Sequence, residues 1–344
     1  MQSFNPDDIG NTNNNIFGLP TNEENARVIF IPVPWDVTTS YSSGTAKAPE
    51  AIFNASFQVD LFDPFKDNAW ETGYAMLPIS MDIKEKNEQL KLHSQKVIEL
   101  LSQGIDITDS KEIKNSLHIV NTGCSELNSW VEDQTAKYID KNKLVAVIGG
   151  EHSVPMGFLK TLSKKFNKFG ILQIDAHADL RNAYEGFEFS HASAMFNALK
   201  IPQVVKLVQL GIRDYCQSEY ELILNSNGRI TTYFDRTIKQ GMYEGKTWNF
   251  YCNNIIQELP DNVYISFDID GLDPKLCPNT GTPVPGGLEI NEVFYLFEKI
   301  VSAGKKIIGF DLSEVSPGED EWDANVGARI LYRLANLMSK SNGI

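Results

Sequence analysis

Acidic and histidine side chains recur at alternate positions in two short stretches of this 344-residue chain. The stretch ILQIDAHADLR places Asp175, His177 and Asp179 two positions apart, and the stretch SFDID does the same with Asp268 and Asp270. Residues two apart in an extended backbone project to the same side, so each set can point in one direction. Carboxylates and imidazoles grouped in this way are typical ligands of divalent metal ions.

Both stretches begin as apolar runs of the kind found in buried strands. Six runs rich in β-branched residues predict strands at 27–33, 144–150, 169–175, 204–212, 263–270 and 306–315. Apolar residues spaced by three and four predict amphipathic helices at 86–103, 154–166, 218–225, 290–303 and 322–340. This alternation predicts an α/β fold with a mostly parallel sheet and helices on both of its faces.

The chain shows no internal repeat and no low-complexity linker, and its length can surround a single α/β core. We therefore predict one domain over residues 25–340, preceded by a polar N-terminal extension at residues 1–24. The polar stretch 104–117 is expected to be a long surface excursion.

Four of the predicted strands end in acidic or imidazole side chains. The carboxyl ends of parallel strands meet at one edge of a sheet, where open α/β proteins bind their ligands. The residues at these ends are Glu151, His152, Asp175, His177, Asp179, Asp268, Asp270, Asp311 and Glu314. The sequence therefore predicts that they converge on one site.

Six of these residues are candidate metal ligands: His152, Asp175, His177, Asp179, Asp268 and Asp270. Four carboxylates this close would repel one another and raise their own pKa values, and cations relieve that repulsion. Six ligands suit two ions that share bridging carboxylates. Nitrogen and oxygen ligands without thiolate favour Mn²⁺, and Co²⁺ and Ni²⁺ accept the same donors. A single Asp-x-Asp pair is more often a turn or a cap, but three groups on three buried strands favour a two-metal site.

The excess of acidic over basic residues limits the kinds of molecule that the protein is expected to bind. The chain has 31 basic and 45 acidic residues and a net charge of −14, which argues against a nucleic-acid or anionic-membrane partner and permits a cationic small substrate. The N-terminus lacks the features of a secretory signal, and no apolar run reaches the roughly 18 residues that span a bilayer. The four scattered cysteines are typical of reduced thiols. We predict a cytoplasmic protein.

Four motifs together resemble the signatures of the ureohydrolases, the family of arginases, agmatinases and formimidoylglutamases. They are VIGGEHS, IDAHADLR, SFDIDGLDP and DLSEVSP, in that order along the chain. The resemblance implies the three-layer arginase-like fold around an eight-stranded parallel sheet, a binuclear manganese centre, and hydrolysis of a guanidino carbon–nitrogen bond to urea and an amine. It also implies a homo-oligomer, either a trimer or a hexamer.

The resemblance further implies how the two ions would be shared. One ion would take His152, Asp175, Asp179 and Asp268. The other would take His177, Asp175, Asp268 and Asp270. Asp175 and Asp268 would then bridge the two ions.

The resemblance also implies roles for three residues in the reaction. Asp179 would carry a proton to the departing nitrogen, since an amide anion is too basic to leave. His191 would exchange that proton with solvent, and Glu314 would bind the substrate guanidinium. The alternatives are that His191 caps the helix after it and that Glu314 is an ordinary loop carboxylate.

The chain departs from arginases where they bind the amino-acid end of arginine. Arginases follow the DAH motif with a Thr/Ser-rich run, where this chain has LRNAYEGFEFSH, and they carry an acid where this chain has Cys216. The segments DLRNAYEGFEFSHAS and CPNTGTPVPGGL resemble agmatinases, so the predicted reaction is agmatine to putrescine and urea. The alternatives are guanidinobutyrate, guanidine or formimidoylglutamate as substrate, arginine less so, a deacetylase-like use of the fold, and a catalytically silent, metal-bound oligomer partner.

Three further departures from the family concern segments near the expected site. Glu151 in GGEHS stands where relatives commonly have Asp, and SSGTAKAPEAIF replaces a Gly-Arg-Pro-rich version. The region 76–118 is longer than usual, and the sequence leaves its role open.

Overall fold

A computed structural model describes residues 4–344, and one sheet runs through the centre of the molecule. Its strands are β1 (Val28–Pro32), β2 (Tyr74–Met76), β3 (Leu144–Ile148), β4 (Phe169–Ile174), β5 (Val204–Leu210), β6 (Ile230–Tyr233), β7 (Asn262–Asp268) and β8 (Lys306–Ser313). Their order across the sheet is β2-β1-β3-β8-β7-β4-β5-β6. Every neighbouring pair is parallel, so all eight carboxyl ends lie at one edge.

Helices cover both faces of this sheet. They are α1 (Ala48–Ala55), α2 (Met81–Ser102), α3 (Lys111–Ile139), α4 (Met156–Lys165), α5 (Ala194–Ala198), α6 (Gln217–Leu224), α7 (Asp235–Tyr243), α8 (Trp248–Glu258), α9 (Ile290–Ser302) and α10 (Trp322–Ser341). Alternate strand residues divide between two apolar clusters: Val28 and Phe30 belong to the one that includes residues of α1, α8, α9 and α10, whereas Ile29 and Ile31 belong to the one that includes residues of α2, α3 and α4. The predicted three-layer α/β fold with an eight-stranded parallel sheet is confirmed.

Every predicted element is present, but the sequence pattern misses two short strands and five of the ten helices, which are α1, α3, α5, α7 and α8. Each of the six predicted strands is present, and the pattern does not predict β2 and β6, which have only three and four residues. The five predicted helices correspond to α2, α4, α6, α9 and α10.

The expected surface excursion at 104–117 is wrong in its second half. The side chain of Ser110 accepts a hydrogen bond from the amide of Ile113 at 3.2 Å, and α3 begins at Lys111. Gly123 lies inside α3, and a Cβ atom there would lie 2.3 Å from Leu90 Cδ1 of α2. Glycine weakens the helical pattern of the sequence but allows α2 and α3 to pack closely.

The segment before β1 packs against the domain. Ile16, Phe17 and Leu19 are buried, and the ring of Phe17 lies 4.9 Å from that of Tyr332 in α10. Residues 1–3 of the predicted extension lie outside the described residues, and the division at residue 25 stays a prediction. Across residues 4–344, none of the helices is both long enough and apolar enough to span a bilayer.

Candidate metal centre and catalytic site

Four adjacent strands in the middle of the sheet deliver the predicted site residues. In spatial order they are β3, β8, β7 and β4. His152 follows β3, Glu314 follows β8, Asp268 ends β7, and Asp175 follows β4 directly. Because these strands are parallel neighbours, residues far apart in the chain meet just beyond their carboxyl ends.

The first group of side chains surrounds one nitrogen of His152. Its Nδ1 atom lies 3.0 Å from Asp175 Oδ2, 2.8 Å from Asp179 Oδ2 and 3.5 Å from Asp268 Oδ2. All four side chains are buried. The four residues predicted to share one ion are therefore brought together.

The second group surrounds His177. Its Nδ1 atom lies 3.0 Å from Asp270 Oδ2 and 3.7 Å from Asp175 Oδ1. The two oxygens of Asp175 thus face different histidines, as a bridging carboxylate requires. Asp268 joins the first group only: its other oxygen accepts the amide of Asp270 at 2.9 Å, and within the described residues it forms no ion pair with His177.

The hydrogen bonding of His152 tests whether the first group suits a cation. Its Nε2 atom lies 2.8 Å from Ser266 Oγ, and that hydroxyl donates to Asp311 Oδ1 at 2.9 Å, so Nε2 carries a proton. The opposite atom, Nδ1, is buried and has no well-directed hydrogen-bond partner in the part of the chain that the structure describes. In the neutral ring this atom would present a lone pair towards three carboxylates, which is the arrangement that a metal ion satisfies.

The pKa shifts of the side chains around His152 also indicate that this group lacks positive charge. Burial opposes protonation of His152, but the carboxylates of Asp175 and Asp179 outweigh it and raise the pKa of His152 well above its ordinary value. Burial and the neighbouring charges of Asp270 and Asp175 also raise the pKa of Asp268 well above its usual range. Either protons or metal ions must supply the charge that these buried carboxylates lack.

A row of buried side-chain amides fixes the carboxylate of Asp175. Gln173 Nε2 donates to Asp175 Oδ2 at 2.7 Å, Gln209 Nε2 donates to Gln173 Oε1 at 2.7 Å, and Thr232 Oγ1 donates to Gln209 Oε1 at 2.7 Å. This polar row crosses β4, β5 and β6. The sequence analysis does not single out Gln173 or Gln209, although a glutamine inside an otherwise apolar strand is the signal that could have found them.

Glu314 and Asp311 take different places around His152. The amide of His152 donates to Glu314 Oε1 at 2.8 Å, whereas Asp311 lies on the far side of the ring, bonded to Ser266 and with Oδ2 3.8 Å from His152 Nε2. Burial and the charge of Glu151 raise the pKa of Glu314 well above its usual range. Glu314 has a φ of 62° and Asp179 a φ of 53°, and backbone held in this left-handed region is typical of functional sites.

A cavity of about 160 Å³ opens above the two groups. Seven of the eight predicted site residues line it, and they are His152, His177, Asp179, His191, Asp268, Asp270 and Glu314. A larger cavity of about 690 Å³ lies beside β2, away from these side chains. The side chains that can bind metal or carry protons converge on the smaller one.

His191 lies on the wall of this cavity and does not act as the helix cap. Ser190 Oγ accepts the amide of Ala192 at 3.2 Å and so provides the cap. The Nδ1 atom of His191 lies 3.4 Å from Thr38 Oγ1. Burial, together with the charge of His177, lowers the pKa of His191 to about 4, so the ring is neutral at neutral pH.

Thr38 and Glu151 support His191, and the sequence analysis gives Thr38 no role. The amide of Thr38 donates to Glu151 Oε2 at 2.7 Å, and its hydroxyl lies 2.9 Å from Glu151 Oε1. Burial raises the pKa of Glu151 to about 7. The Glu in GGEHS was visible as a departure from the family, but its partner is 113 positions away in the chain.

Comparisons with known proteins agree with the fold and the motifs. A family model described as the arginase family matches residues 26–336. The chain is 26% identical over 320 residues to an N(1)-aminopropylagmatine ureohydrolase of Thermus thermophilus, and the alignment covers 93% of each chain. It is also 26% identical over 311 residues to an agmatinase of Halalkalibacterium halodurans, and that alignment covers 87% of each chain.

A solved structure shares the fold. The agmatine ureohydrolase of Thermoplasma volcanium superposes with a TM-score of 0.69 at 22% identity, over 93% of this chain and 92% of that one. The predicted ureohydrolase resemblance and the arginase-like fold are both confirmed. The chain belongs to the arginase family and is a hydrolase of carbon–nitrogen bonds in linear amidines.

Proposed function

We propose that the protein hydrolyses agmatine, or a guanidino compound close to it, to urea and an amine, with two divalent metal ions of which Mn²⁺ is the first candidate. One observation carries the proposal: two histidine–carboxylate groups share Asp175 beneath a cavity that also contains Glu314 and His191. The arginase family, to which the chain belongs, depends on binuclear metal centres.

The proposed ligands follow the two groups. His152, Asp175, Asp179 and Asp268 would hold one ion. His177, Asp175, Asp268 and Asp270 would hold the other. When bound, two such ions offset the carboxylate charge and promote ionisation of a water nucleophile near neutral pH.

Glu314 is proposed to bind and orient the substrate guanidinium. Its Oε1 atom already accepts the amide of His152 at 2.8 Å, which fixes the carboxyl group at the cavity wall. A planar guanidinium can present parallel N–H donors to such a carboxylate. This pairing would place the guanidino carbon above the two histidine–carboxylate groups.

Asp179 and His191 are proposed to move the proton that the departing nitrogen needs. Burial and the charge of Asp175 raise the pKa of Asp179, so this carboxyl group can hold a proton more readily than an exposed aspartate. His191 is neutral and lies on the same cavity wall, where it can accept a proton and pass it to solvent.

The cavity mouth supports a substrate without an amino-acid head group. Cys216 occupies the N-cap of α6, and the nearby carboxylate of Glu219 already accepts the amides of Cys216 and Leu180, so it is not free to hold an α-amino group. The carboxylate of Asp214 is largely exposed, and its Oδ2 atom lies 4.0 Å from His177 Nε2, where it would attract a distal ammonium group. Arg181 on the same wall keeps guanidinobutyrate, whose tail is a carboxylate, as the second candidate substrate.

The test is urea release by metal-loaded protein over a substrate panel. The panel contains agmatine, N-aminopropylagmatine, arginine, guanidinobutyrate, guanidinopropionate and guanidine, and we expect the highest kcat/KM with agmatine. Elemental analysis should find close to two divalent ions per chain. Protein that carries two ions but releases urea from none of these compounds would contradict the activity and favour the silent oligomer partner. Binding of no metal would contradict the metal centre.

The oligomeric state and the location in the cell stay predictions. We expect a trimer or a hexamer, which light scattering on the purified protein measures directly. A cytoplasmic location is checked by fractionation of cells that express the protein.

A further inference from the structure

The segment from residue 36 to residue 44, here called the Asp36 loop, forms one wall of the active-site cavity. Ser40 in this loop lines the cavity beside the metal-binding groups. Thr38 in the same loop accepts the amide of His191 at 3.1 Å through its hydroxyl oxygen. The position of this loop therefore affects both the cavity wall and His191.

Asp36 joins the two ends of the loop. Its carboxylate is buried, and Oδ2 accepts the amide of Gly44 at 2.9 Å. Its carbonyl oxygen also accepts the hydroxyl of Thr39 at 3.0 Å. A single side chain thus closes a loop of nine residues and sets the path of the chain between its ends.

Helix α2 holds Asp36 with two side chains. Asn87 Oδ1 accepts the amide of Asp36 at 2.7 Å, and Asn87 Nδ2 donates to Asp36 Oδ1 at 3.1 Å. Lys91 Nζ lies 2.8 Å from the same Oδ1 atom. Asn87 and Lys91 are four residues apart, so both project from one face of α2 towards the loop.

Polar contacts act beside apolar packing here, since Val37 of the loop belongs to the same apolar cluster as Leu90 and Val97 of α2. A cavity of about 220 Å³ separates them and is lined by Tyr41 and Ser43 from the loop and by Ser94 and Gln95 from α2. The side chain of Lys91 is only 16% exposed and that of Asp36 only 1%, so neither charge can be satisfied by water alone. A buried carboxylate without its partner is strongly unfavourable, so the ion pair persists only while the loop keeps this position.

We propose that α2 positions the Asp36 loop against the active-site cavity through Asn87 and Lys91, which makes both of them positioning residues for substrate binding. The inference assigns a role to the segment 76–118, which the sequence left open. It rests on the proposed function for its effect on catalysis, but not for the position of the loop. Glu151 holds Thr38 separately, so loss of the α2 contacts should disturb the loop around Ser40 more than it disturbs His191.

The test compares Lys91→Met with Lys91→Arg and with Lys96→Met. Lys91→Met keeps most of the aliphatic chain and removes the charge, and we expect faster hydrogen exchange in peptides that cover residues 36–44. With the best substrate we expect KM to rise about tenfold while kcat changes much less, the pattern of weakened binding in both ground and transition state. Lys91→Arg keeps the positive charge and should have a KM close to the wild-type value. Metal content should stay at the wild-type value.

Lys96→Met is the matched control, because Lys96 lies on the same helix and pairs with Glu112 at the surface. It should leave hydrogen exchange and kinetics unchanged. Exchange in the central strands should also stay the same in every variant, which separates a local change from general destabilisation.

Lys91→Met leaves the Asp36 carboxylate buried without a cation, so this variant can fail to fold. The double variant Asp36→Asn/Lys91→Met removes both charges, and it should still show faster exchange in the Asp36 loop. A folded variant of either kind with wild-type exchange in the loop and wild-type KM would overturn the inference. If no substrate yields urea, the exchange experiment still tests whether α2 positions the loop. Failure of the proposed function is therefore distinguished from failure of the inference about the loop.

Discussion

Asp175 is the residue through which the two halves of the site are connected. Its Oδ2 atom faces His152 and accepts Gln173 Nε2, and its Oδ1 atom faces His177 and accepts the amide of that same residue at 2.6 Å. Each oxygen is therefore fixed by a donor before any ion binds. Such preorganisation lowers the entropic loss on binding, since the ligands need not be ordered by the metal.

Substitution can separate the role of His191 from that of the proposed metal ligands. Its ring contacts Thr38 and Ser190 rather than the carboxylates, so His191→Ala should keep the wild-type metal content. If the ring transfers a proton, kcat should fall by about 10²-fold to 10⁴-fold. Elemental analysis and urea release measure the two effects, with His118→Ala on the exposed side of α3 as the control. Undiminished turnover in His191→Ala would remove this residue from the mechanism.

Glu151 should make the stability of the metal-free protein depend on pH. Burial raises its pKa from an ordinary 4.5 to about 7 in the folded state. The folded protein therefore holds this proton more tightly than the unfolded chain. The stabilisation is complete below about pH 4.5 and is lost as the pH rises through about 7, by at most about 3 kcal/mol.

Glu151→Gln keeps the shape of the protonated side chain at every pH and should remove this part of the dependence. The measurement is denaturant unfolding of both proteins at pH 5 and pH 8, in chelator. Glu99→Gln, on the exposed surface of α2, is the control. Wild type and Glu151→Gln with the same change in unfolding free energy between the two pH values would refute the argument.

At the scale of elements, the junction after β3 requires glycine. A Cβ atom on Gly150 would lie 1.9 Å from the carbonyl oxygen of Trp35. The amide of Gly150 donates to Val33 at 3.1 Å, and its carbonyl oxygen accepts the amide of Glu314 at 2.7 Å. This junction thus connects β1, β3 and β8 immediately before His152, the first proposed metal ligand.

Gly150→Ala should therefore move the ends of three strands apart. We expect the free energy of unfolding to fall by about 3 kcal/mol or more, at the upper end of overpacked core substitutions, and metal binding to weaken with it. Gly304→Ala is the control: Gly304 has a positive φ, of 81°, but open space around it, so alanine there meets backbone strain without overlap and should cost about 1 kcal/mol. Equal losses in the two variants, measured by denaturant unfolding, would show that steric overlap at Gly150 is not the cause.

Local sequence pattern predicts elements well where one periodicity covers many residues. The six apolar strands and the amphipathic helices α9 and α10 are of this kind. Helix α3 is not, because its glycine and its Ser, Thr and Asn residues have weak helix preference, and they serve contacts instead: Gly123 faces Leu90 of α2, and Thr135 bonds to Thr161 of α4. The contacts between α2 and Asp36 likewise cannot be predicted from local sequence pattern, since the bonded residues are 51 or more positions apart.

At the scale of the whole molecule, convergence of the site needs little more than a parallel sheet. Any order of strands places the carboxyl ends at one edge, so acidic strand ends alone predict that the ligands meet. The order itself, with β8 between β3 and β7, cannot be read from local pattern. That order decides which of the proposed ligands lie together and places Glu314 beside His152.

The proposed metal centre should therefore stabilise the whole domain. Its proposed ligands come from segments that follow β3, β4 and β7, and these segments separate when the chain unfolds. Ions that bind only the folded state stabilise it by RT ln(1 + [M]/Kd), about 2.7 kcal/mol when free metal is 100 times the Kd. We expect Tm to rise steadily with free Mn²⁺ concentration and to fall after chelation. Asp268→Asn weakens one proposed bridge and should flatten this dependence, whereas Asp273→Asn, whose side chain accepts the amide of Lys275, should preserve it. A wild-type Tm that does not respond to Mn²⁺, Co²⁺ or Ni²⁺ would mean that these six side chains do not hold metal in the folded protein.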